Sequence, residues 1–248
     1  MKEFSILLIL VVLLSVVACS KKQHTTQLTK TRSDSLITAV EERLKEKKRL
    51  GQLKYDLHKS KLGKSISKYK PIIKKYAKRY GFDWRLIVAQ IAQESGFREK
   101  ARSRVGASGL MQRMPRTAKE ISHELDIEYI MKNPRENITA GIYHLKKQMR
   151  YFPDSRPTDQ TQLALASYNC GAGRVFDAQS IAEYYKQAPN RWLYVKPYLA
   201  TLKHSDWELH LQVWPDGKPR YGYFYGYNET INYVERIWDT YQVYKVIL

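Results

Sequence analysis

The chain has 248 residues, and its 43 Lys and Arg outnumber its 24 Asp and Glu, which gives a formal net charge of +19. Two cysteines exclude a disulfide-rich scaffold, so stability must come from a hydrophobic core, for which 19 tyrosines and five tryptophans supply material. A charge this positive attracts polyanions, and taken by itself it would indicate nucleic acid as a partner.

The N-terminus predicts export. Lys2 precedes an apolar run over residues 4–17, which is shorter than a membrane span and has the form of a signal-peptide core. Small residues before Cys19 resemble a bacterial lipobox, so we expect a signal peptide over residues 1–18 and lipid on Cys19. The lipid would anchor the protein to an envelope membrane, with the periplasmic face of the outer membrane as the expected location. An uncleaved N-terminal anchor helix is the alternative.

Export changes which anions the positively charged surface would meet. Lys2 and Glu3 cancel, so the mature protein keeps its basic balance. Outside the cytoplasm the available anions are wall carboxylates and lipid headgroups, so we expect no nucleic-acid partner. A merely solvated surface explains the charge equally well.

Composition predicts three segments after the anchor. Residues 19–33 are polar and form a flexible tether. Residues 34–68 predict a charged helix with a narrow apolar edge, which would be a spacer, a partner-binding coil or a helix packed on the main domain. Residues 69–248 form that main domain.

Helical signals dominate the main domain. Helices are predicted over residues 71–80, 84–94 with Asp83 as N-cap, 134–150 and from 158 into the 160s. No alternating strands separate them, so the fold class is mainly α. The exception is a β-hairpin predicted between residues 204 and 227, where apolar residues alternate on both sides of a Pro-Asp-Gly turn. Its tyrosines would pack within the hairpin or stack on sugars.

Glu94 is the first candidate for chemistry. Trp84, Ile87 and Ile91 recur at helical spacing, and Glu94 follows Ile87 by seven residues on the same stripe. Burial disfavours an ionised carboxylate, and a general acid must stay protonated near neutral pH. For an isolated case, a structural glutamate at a helix end is the commoner explanation.

The residues around and after Glu94 form an ordered set of motifs. They are Gln93-Glu94-Ser95-Gly96-Phe97, Ala101, Ser103, Gly106-Ala107-Ser108-Gly109-Leu110-Met111-Gln112, Met114-Pro115, Thr117-Ala118, Ala166-Ser167-Tyr168-Asn169-Cys170-Gly171, Gly173, Val175, Glu229-Thr230 and Tyr233-Val234. Over residues 70–245 this set resembles the catalytic domain of the soluble lytic transglycosylase (SLT) family, bacterial enzymes that cleave peptidoglycan glycan strands. Residues 167–198 are most similar to the membrane-bound lytic transglycosylase F branch. The resemblance implies a lysozyme-like, goose-type helical domain.

The resemblance also implies a reaction. Glu94 would protonate the oxygen that links N-acetylmuramic acid to N-acetylglucosamine, and the muramyl acetamido group would stabilise the developing positive charge. Glu94 would then take the proton of the C6 hydroxyl, which closes a 1,6-anhydro ring. No second carboxylate matches a catalytic position, as expected for a reaction that consumes no water.

Supporting roles follow from the same match. Residues expected to bind substrate are Ser103, Gln112, Met114, Tyr168, Asn169 and, more weakly, Tyr233. Arg113 departs from the family, because its position is usually aliphatic, and its charge would alter packing or contact the stem peptide. Cys170 is expected to be a small buried hydrophobe, since no histidine lies within the matching motifs to activate it.

Other features complete the sequence predictions. No cluster has metal-ligand spacing and no phosphate loop occurs, so we expect no metal and no cofactor. The expected partners are peptidoglycan strands and, through Cys19, a membrane, while the oligomeric state stays open. No module like the substrate-binding-protein domain of transglycosylase F is found, so its regulation should be missing. The alternatives are a hydrolytic muramidase, which needs a second carboxylate, and a non-catalytic wall-binding lipoprotein.

Overall fold

The computed structural model of the chain describes residues 38–248. The predicted signal peptide of residues 1–18, the lipidation site Cys19 and the tether of residues 19–33 lie outside the described residues, so they stay predictions. Across the described range, no helix combines the length and the apolar character needed to cross a membrane.

Within the described residues, the chain divides into two units at the boundary between Tyr55 and Asp56. Residues 38–59 are helical, and we call this helix α1. The boundary predicted between residues 68 and 69 falls inside the next helix, Lys61–Tyr80, so no break in secondary structure marks it.

Helices follow one another through the described residues, which contain no β-strand. After α1 they are α2 (Lys61–Tyr80), α3 (Trp84–Ser95), α4 (Pro115–Leu125), α5 (Pro134–Met149), α6 (Pro157–Cys170), α7 (Ala172–Tyr184), α8 (Trp192–Val195), the 3-10 helices Lys196–Thr201 and His204–Asp206, α9 (Trp207–Val213) and α10 (Tyr227–Ile247). Isolated bridges join Arg102 to Ser108 and Ser108 to Arg113 within the loop between α3 and α4. The mainly α prediction is confirmed.

Helix ends follow the capping signals in the sequence. Asp83 accepts a hydrogen bond from the backbone N–H of Arg85 at 2.9 Å, as predicted for the start of α3. Asn133 caps α5 in the same way through Arg135. Such caps each stabilise a helix by about 1 kcal/mol. Gly96 ends α3 in the left-handed conformation, with φ of 58°, directly after the segment that carries Glu94.

The predicted start at Pro71 was wrong, because α2 begins ten residues earlier. Ser60 caps it by accepting a hydrogen bond from Gly63 N at 2.9 Å, and Pro71 lies on the exposed side of the helix interior. Proline removes one backbone donor there. Burial of Ile66 and Ile73 on the opposite face outweighs that loss, since each fully buried aliphatic side chain contributes about 1.5–3 kcal/mol.

The core holds α3 in the middle of the domain. It packs against α2 and α10, while α6 packs against α5, α7 and α10. Fully buried side chains fill these contacts, among them Ile87 and Ile91 of α3, Leu163 of α6 and Ile237 of α10. As a result, α3 is fixed beside α10, which also packs on α6.

The predicted β-hairpin was wrong, because residues Trp207–Val213 form helix α9. The alternation of apolar residues misled the prediction. Trp207 and Leu211, one helical turn apart, are exposed, whereas the polar His210 is fully buried and its Nε2 lies 2.8 Å from the carbonyl oxygen of Thr201. Because the buried residue His210 is polar and the exposed residues Trp207 and Leu211 are apolar, polar and apolar residues alternate along this seven-residue helix as they would along a strand.

Candidate active site

Glu94 lies near the C-terminal end of α3, where its carboxyl group meets α10. The hydroxyl of Tyr233 donates a hydrogen bond to Glu94 Oε1 at 2.6 Å. That hydroxyl in turn accepts a hydrogen bond from Gln90 Nε2 at 3.1 Å. Because Gln90 precedes Glu94 by one helical turn, the chain of bonds fixes Tyr233 over the end of α3.

The surroundings of Glu94 favour its protonated form. Burial is the largest effect and raises the pKa of Glu94 from 4.5 to about 7. The positive charge of Arg113 and the hydrogen bond from Tyr233 lower this pKa, while the negative charge of Glu229 raises it. Glu94 therefore exists in comparable protonated and ionised fractions near neutral pH, as an acid–base catalyst requires.

The loop between α3 and α4 is held rigidly beside Glu94. Asn137, buried on α5, accepts a hydrogen bond from Met111 N at 2.8 Å and donates to Ser108 O and Ile130 O, both at 3.0 Å. A Cβ on Gly109 would lie 2.5 Å from Asn137 Nδ2, and its φ of 83° favours glycine. The Gly109 position therefore allows Asn137 to reach the loop.

Gln112 also stabilises this loop from within. Its backbone has a φ of 44°, and its Nε2 donates to Ala101 O at 3.1 Å and to Gly109 O at 2.8 Å. Both amide hydrogens are thereby used, so its side-chain oxygen is the group left for a ligand. Ser103 Oγ accepts a hydrogen bond from Ala107 N at 2.9 Å, which leaves its own hydroxyl hydrogen to donate.

Tyr168 forms the floor of the site from α6. Its hydroxyl donates to Met111 O at 3.0 Å, and the Arg113 guanidinium carbon lies 3.8 Å from its ring centroid. The ring of His144 meets it edge-on, with centroids 5.1 Å apart. Burial raises the pKa of Tyr168 far above its usual range, so it remains a neutral donor. Beside it, Asn169 Oδ1 accepts a hydrogen bond from Thr230 Oγ1 at 2.7 Å, which fixes the amide.

These side chains surround one cleft of about 510 Å3. All seven residues predicted for catalysis or substrate binding contribute to its lining, namely Glu94, Ser103, Gln112, Met114, Tyr168, Asn169 and Tyr233. Tyr233, the weakest of these candidates in the sequence, makes the direct contact with Glu94.

Several lining residues received no role in the sequence analysis, although Glu229 belongs to its motif set. Glu229, Asn232 and Arg236 of α10 line the cleft with Tyr233, and their spacing of three and four residues is a helical-face signal that could have identified them. His144 of α5 carried no such signal. Burial lowers its pKa to about 3, so it is neutral at physiological pH.

The structure also locates Arg113 and Cys170, the two residues whose roles the sequence left unusual or apolar. Arg113 is buried with 4% of its surface exposed, and it lines the cleft. Cys170, half-buried at the end of α6, lies outside the cleft lining. Burial raises the pKa of its thiol to about 11, which opposes thiolate formation. The predicted full burial of Cys170 is not found, because the residue is only half-buried.

Fold and site together define a helical domain with one partly protonated carboxyl group in an open polar cleft. Residues 71–194 match the family model described as Transglycosylase SLT domain. The chain therefore belongs to the SLT transglycosylase family, and the predicted helical class is confirmed apart from the hairpin.

Among curated relatives, membrane-bound lytic murein transglycosylase F of Desulfosudis oleivorans is 39% identical over 73% of this chain and 37% of its own length. The protein of the same name from Marinobacter nauticus is 36% identical over 72% of this chain and 33% of its own length. The solved structure of an inactive variant of lytic transglycosylase Slt from Pseudomonas aeruginosa has 29% identity and a TM-score of 0.46 over 71% of this chain and 24% of that one. The predicted likeness to the F branch is confirmed, and this chain spans about a third of the length of these two curated relatives.

Proposed function

We propose that this protein is a peptidoglycan lytic transglycosylase whose cleft binds a glycan strand and whose Glu94 is the single acid–base catalyst. The observation that carries the proposal is the Glu94 carboxyl itself. It lines the cleft, accepts a hydrogen bond from Tyr233, and has a pKa raised by burial to about 7. The names of the relatives, lytic murein transglycosylases, supply the substrate class.

In the first step, protonated Glu94 gives its proton to the oxygen between N-acetylmuramic acid and N-acetylglucosamine. The bond from that oxygen to the muramyl C1 breaks, and the muramyl acetamido group stabilises the positive charge at C1. Glu94 is left ionised. Proton transfer of this kind accelerates a reaction by about 10²–10⁴-fold.

In the second step, ionised Glu94 removes the proton of the muramyl C6 hydroxyl. The C6 oxygen forms a bond to C1 and closes a 1,6-anhydro ring. Glu94 is protonated again, and no water is consumed. Because nucleophile and electrophile belong to one sugar, proximity replaces an activated water.

The remaining cleft residues would position the sugars. Ser103 offers a hydroxyl donor and Asn169 a fixed amide, while Gln112 offers its side-chain oxygen. Met114, exposed at the cleft, offers apolar contact to a sugar face. Tyr168 supports the loop through Met111 O and forms the floor.

The proposal includes attachment of the protein to a membrane. Lipid on Cys19 would hold the protein on the periplasmic face of the outer membrane, within reach of the wall. The relatives are named membrane-bound, which supports attachment to a membrane. Labelling cells with a radioactive fatty acid, with Cys19→Ala as control, tests it: label lost in the variant supports the lipid anchor, and label retained contradicts it.

A hydrolytic muramidase is the second candidate, and Glu229 is the observation that favours it. This carboxylate lines the cleft with Glu94 and influences its pKa. A hydrolase would use it to activate water from the other side of the sugar.

Mass spectrometry of muropeptides released from purified peptidoglycan decides between these functions. We expect the detergent-solubilised full-length chain to release 1,6-anhydro products and Glu94→Gln to release almost none. Reducing muramyl ends would instead indicate a muramidase. Release by neither protein would leave a non-catalytic wall-binding lipoprotein.

A further inference from the structure

Arg113 presents a fixed positive charge in the cleft. Its Nε donates to Met111 O at 2.9 Å, and its guanidinium carbon stacks 3.8 Å from the ring centroid of Tyr168. The residue is 4% exposed and lines the cleft. Two independent contacts thus determine the orientation of the guanidinium plane, which a flexible surface arginine would lack.

Arg113 forms no salt bridge within residues 38–248. The ion pairs there involve other cations, and the two terminal nitrogens of Arg113 make no hydrogen bond to a described residue. Buried charges in proteins are usually paired, because an unpaired one loses its hydration without compensation. Glu94 feels the charge of Arg113 but does not bond to it, since its Oε1 accepts from Tyr233. Four N–H donors are therefore available for a ligand.

We propose that Arg113 binds a carboxylate of the glycan strand and makes this enzyme selective for it. The inference rests on the proposed function. A planar guanidinium with its terminal donors unused matches a carboxylate through two parallel hydrogen bonds. Aliphatic side chains, which the SLT resemblance leads us to expect at this position, cannot make them.

The position of Arg113 narrows the choice of carboxylate. It stacks on Tyr168, the floor of the site, close enough to Glu94 to affect its titration. When a muramyl ring occupies this floor, its lactyl group is the nearest acid, because a short ether joins it to the ring. That carboxylate is free only in strands stripped of stem peptides, whereas carboxylates of the stem lie several bonds further away. We therefore expect stripped strands to be the favoured substrate.

Three substrates separate the possibilities for the detergent-solubilised full-length chain. The first is peptide-bearing strands, the second is strands stripped by an amidase, and the third is stripped strands whose lactyl carboxylates are converted to methylamides. We expect Arg113→Gln to lower kcat/KM on stripped strands by about tenfold or more, the effect of losing one charge-assisted hydrogen bond. Activity on the methylamide strands should change little, and Arg113→Lys should restore part of the loss.

A larger loss on peptide-bearing strands than on stripped ones would support the carboxylate site but assign it to the stem. Equal loss on all three substrates, or loss on none, would overturn the proposal. Arg116→Gln is the matched control, because it removes one positive charge from an exposed position outside the cleft. Thermal unfolding of each variant identifies a change in folding. If the unaltered chain releases no anhydro product from any of the three substrates, the proposed function fails, independently of Arg113.

Discussion

The hydroxyl of Tyr233 donates a 2.6 Å hydrogen bond to Glu94 Oε1, which joins α10 to the end of α3 inside the cleft. A donor to a carboxylate stabilises the ionised form, so this bond opposes the effect of burial. The balance leaves the pKa of Glu94 at about 7, which suits a group that must give and then take a proton.

Replacing Tyr233 by Phe should shift the pH dependence of activity. Loss of the hydrogen bond raises the pKa of Glu94 above about 7. Because the first step needs protonated Glu94, activity falls as pH rises through that pKa, so the alkaline limb of kcat/KM should move to higher pH. Profiles between pH 5 and 9 measure it. Tyr241→Phe, which removes a hydroxyl from the same helix near Asp83, is the control and should not move the limb.

Glu94→Gln should stabilise the fold at alkaline pH. The folded pKa of about 7 lies above the ordinary value of 4.5, so the folded state holds its proton over a window in which the unfolded state has lost it. Ionising Glu94 costs more in the folded state than in the unfolded state. The free energy of unfolding is therefore highest below pH 4.5 and falls by about 3 kcal/mol as the pH rises to about 7. Glutamine avoids this loss. Urea unfolding of both proteins should show a difference at pH 8 that is larger than at pH 4; equal differences would contradict the pKa shift.

Glu229→Gln separates the two candidate reactions. Its negative charge raises the pKa of Glu94, so its removal should lower that pKa and move the alkaline limb to lower pH. A transglycosylase should keep its anhydro products and most of its rate, because Glu229 takes no part in bond making. Loss of about 100-fold or more, with reducing-end products in the unaltered chain, would assign Glu229 to water activation. Asp239→Asn, exposed on α10 outside the cleft, controls for net charge.

Asn137→Ala should disrupt the loop that carries Gln112 and Arg113. Asn137 is 1% exposed and satisfies Met111 N, Ser108 O and Ile130 O. Leaving these groups without partners should lower the free energy of unfolding by about 3–5 kcal/mol, since each buried unsatisfied group costs about 1–3 kcal/mol. Chemical denaturation measures the change.

Asn228→Ala is the control for that substitution, because Asn228 is exposed at the start of α10. Its effect should stay within about 0.5 kcal/mol. Similar effects of the two substitutions would mean that the bonds of Asn137 contribute little.

Local signals in the sequence determined the helical class and the position of Glu94. Helical periodicity from Trp84 and the Asp83 cap depend on residues within a few positions of one another, so they can be read directly. The limits of such signals appear at Pro71, where tertiary burial continues a helix through a proline. They appear again at His210, where a buried polar residue imitates a strand.

Only the tertiary structure decided which groups contact Glu94 and how far its pKa is raised. Tyr233 lies 139 positions from Glu94 in the chain, and the contact exists because α10 packs on α3. The raised pKa needs the burial that this packing provides, and Glu229 reaches the same cleft by the same route. Likewise, the sequence showed that Arg113 is unusual. Its stacking on the Tyr168 ring, however, depends on α6 packing next to the loop between α3 and α4. Desolvation and long-range charge depend on distances between helices, which no local pattern contains.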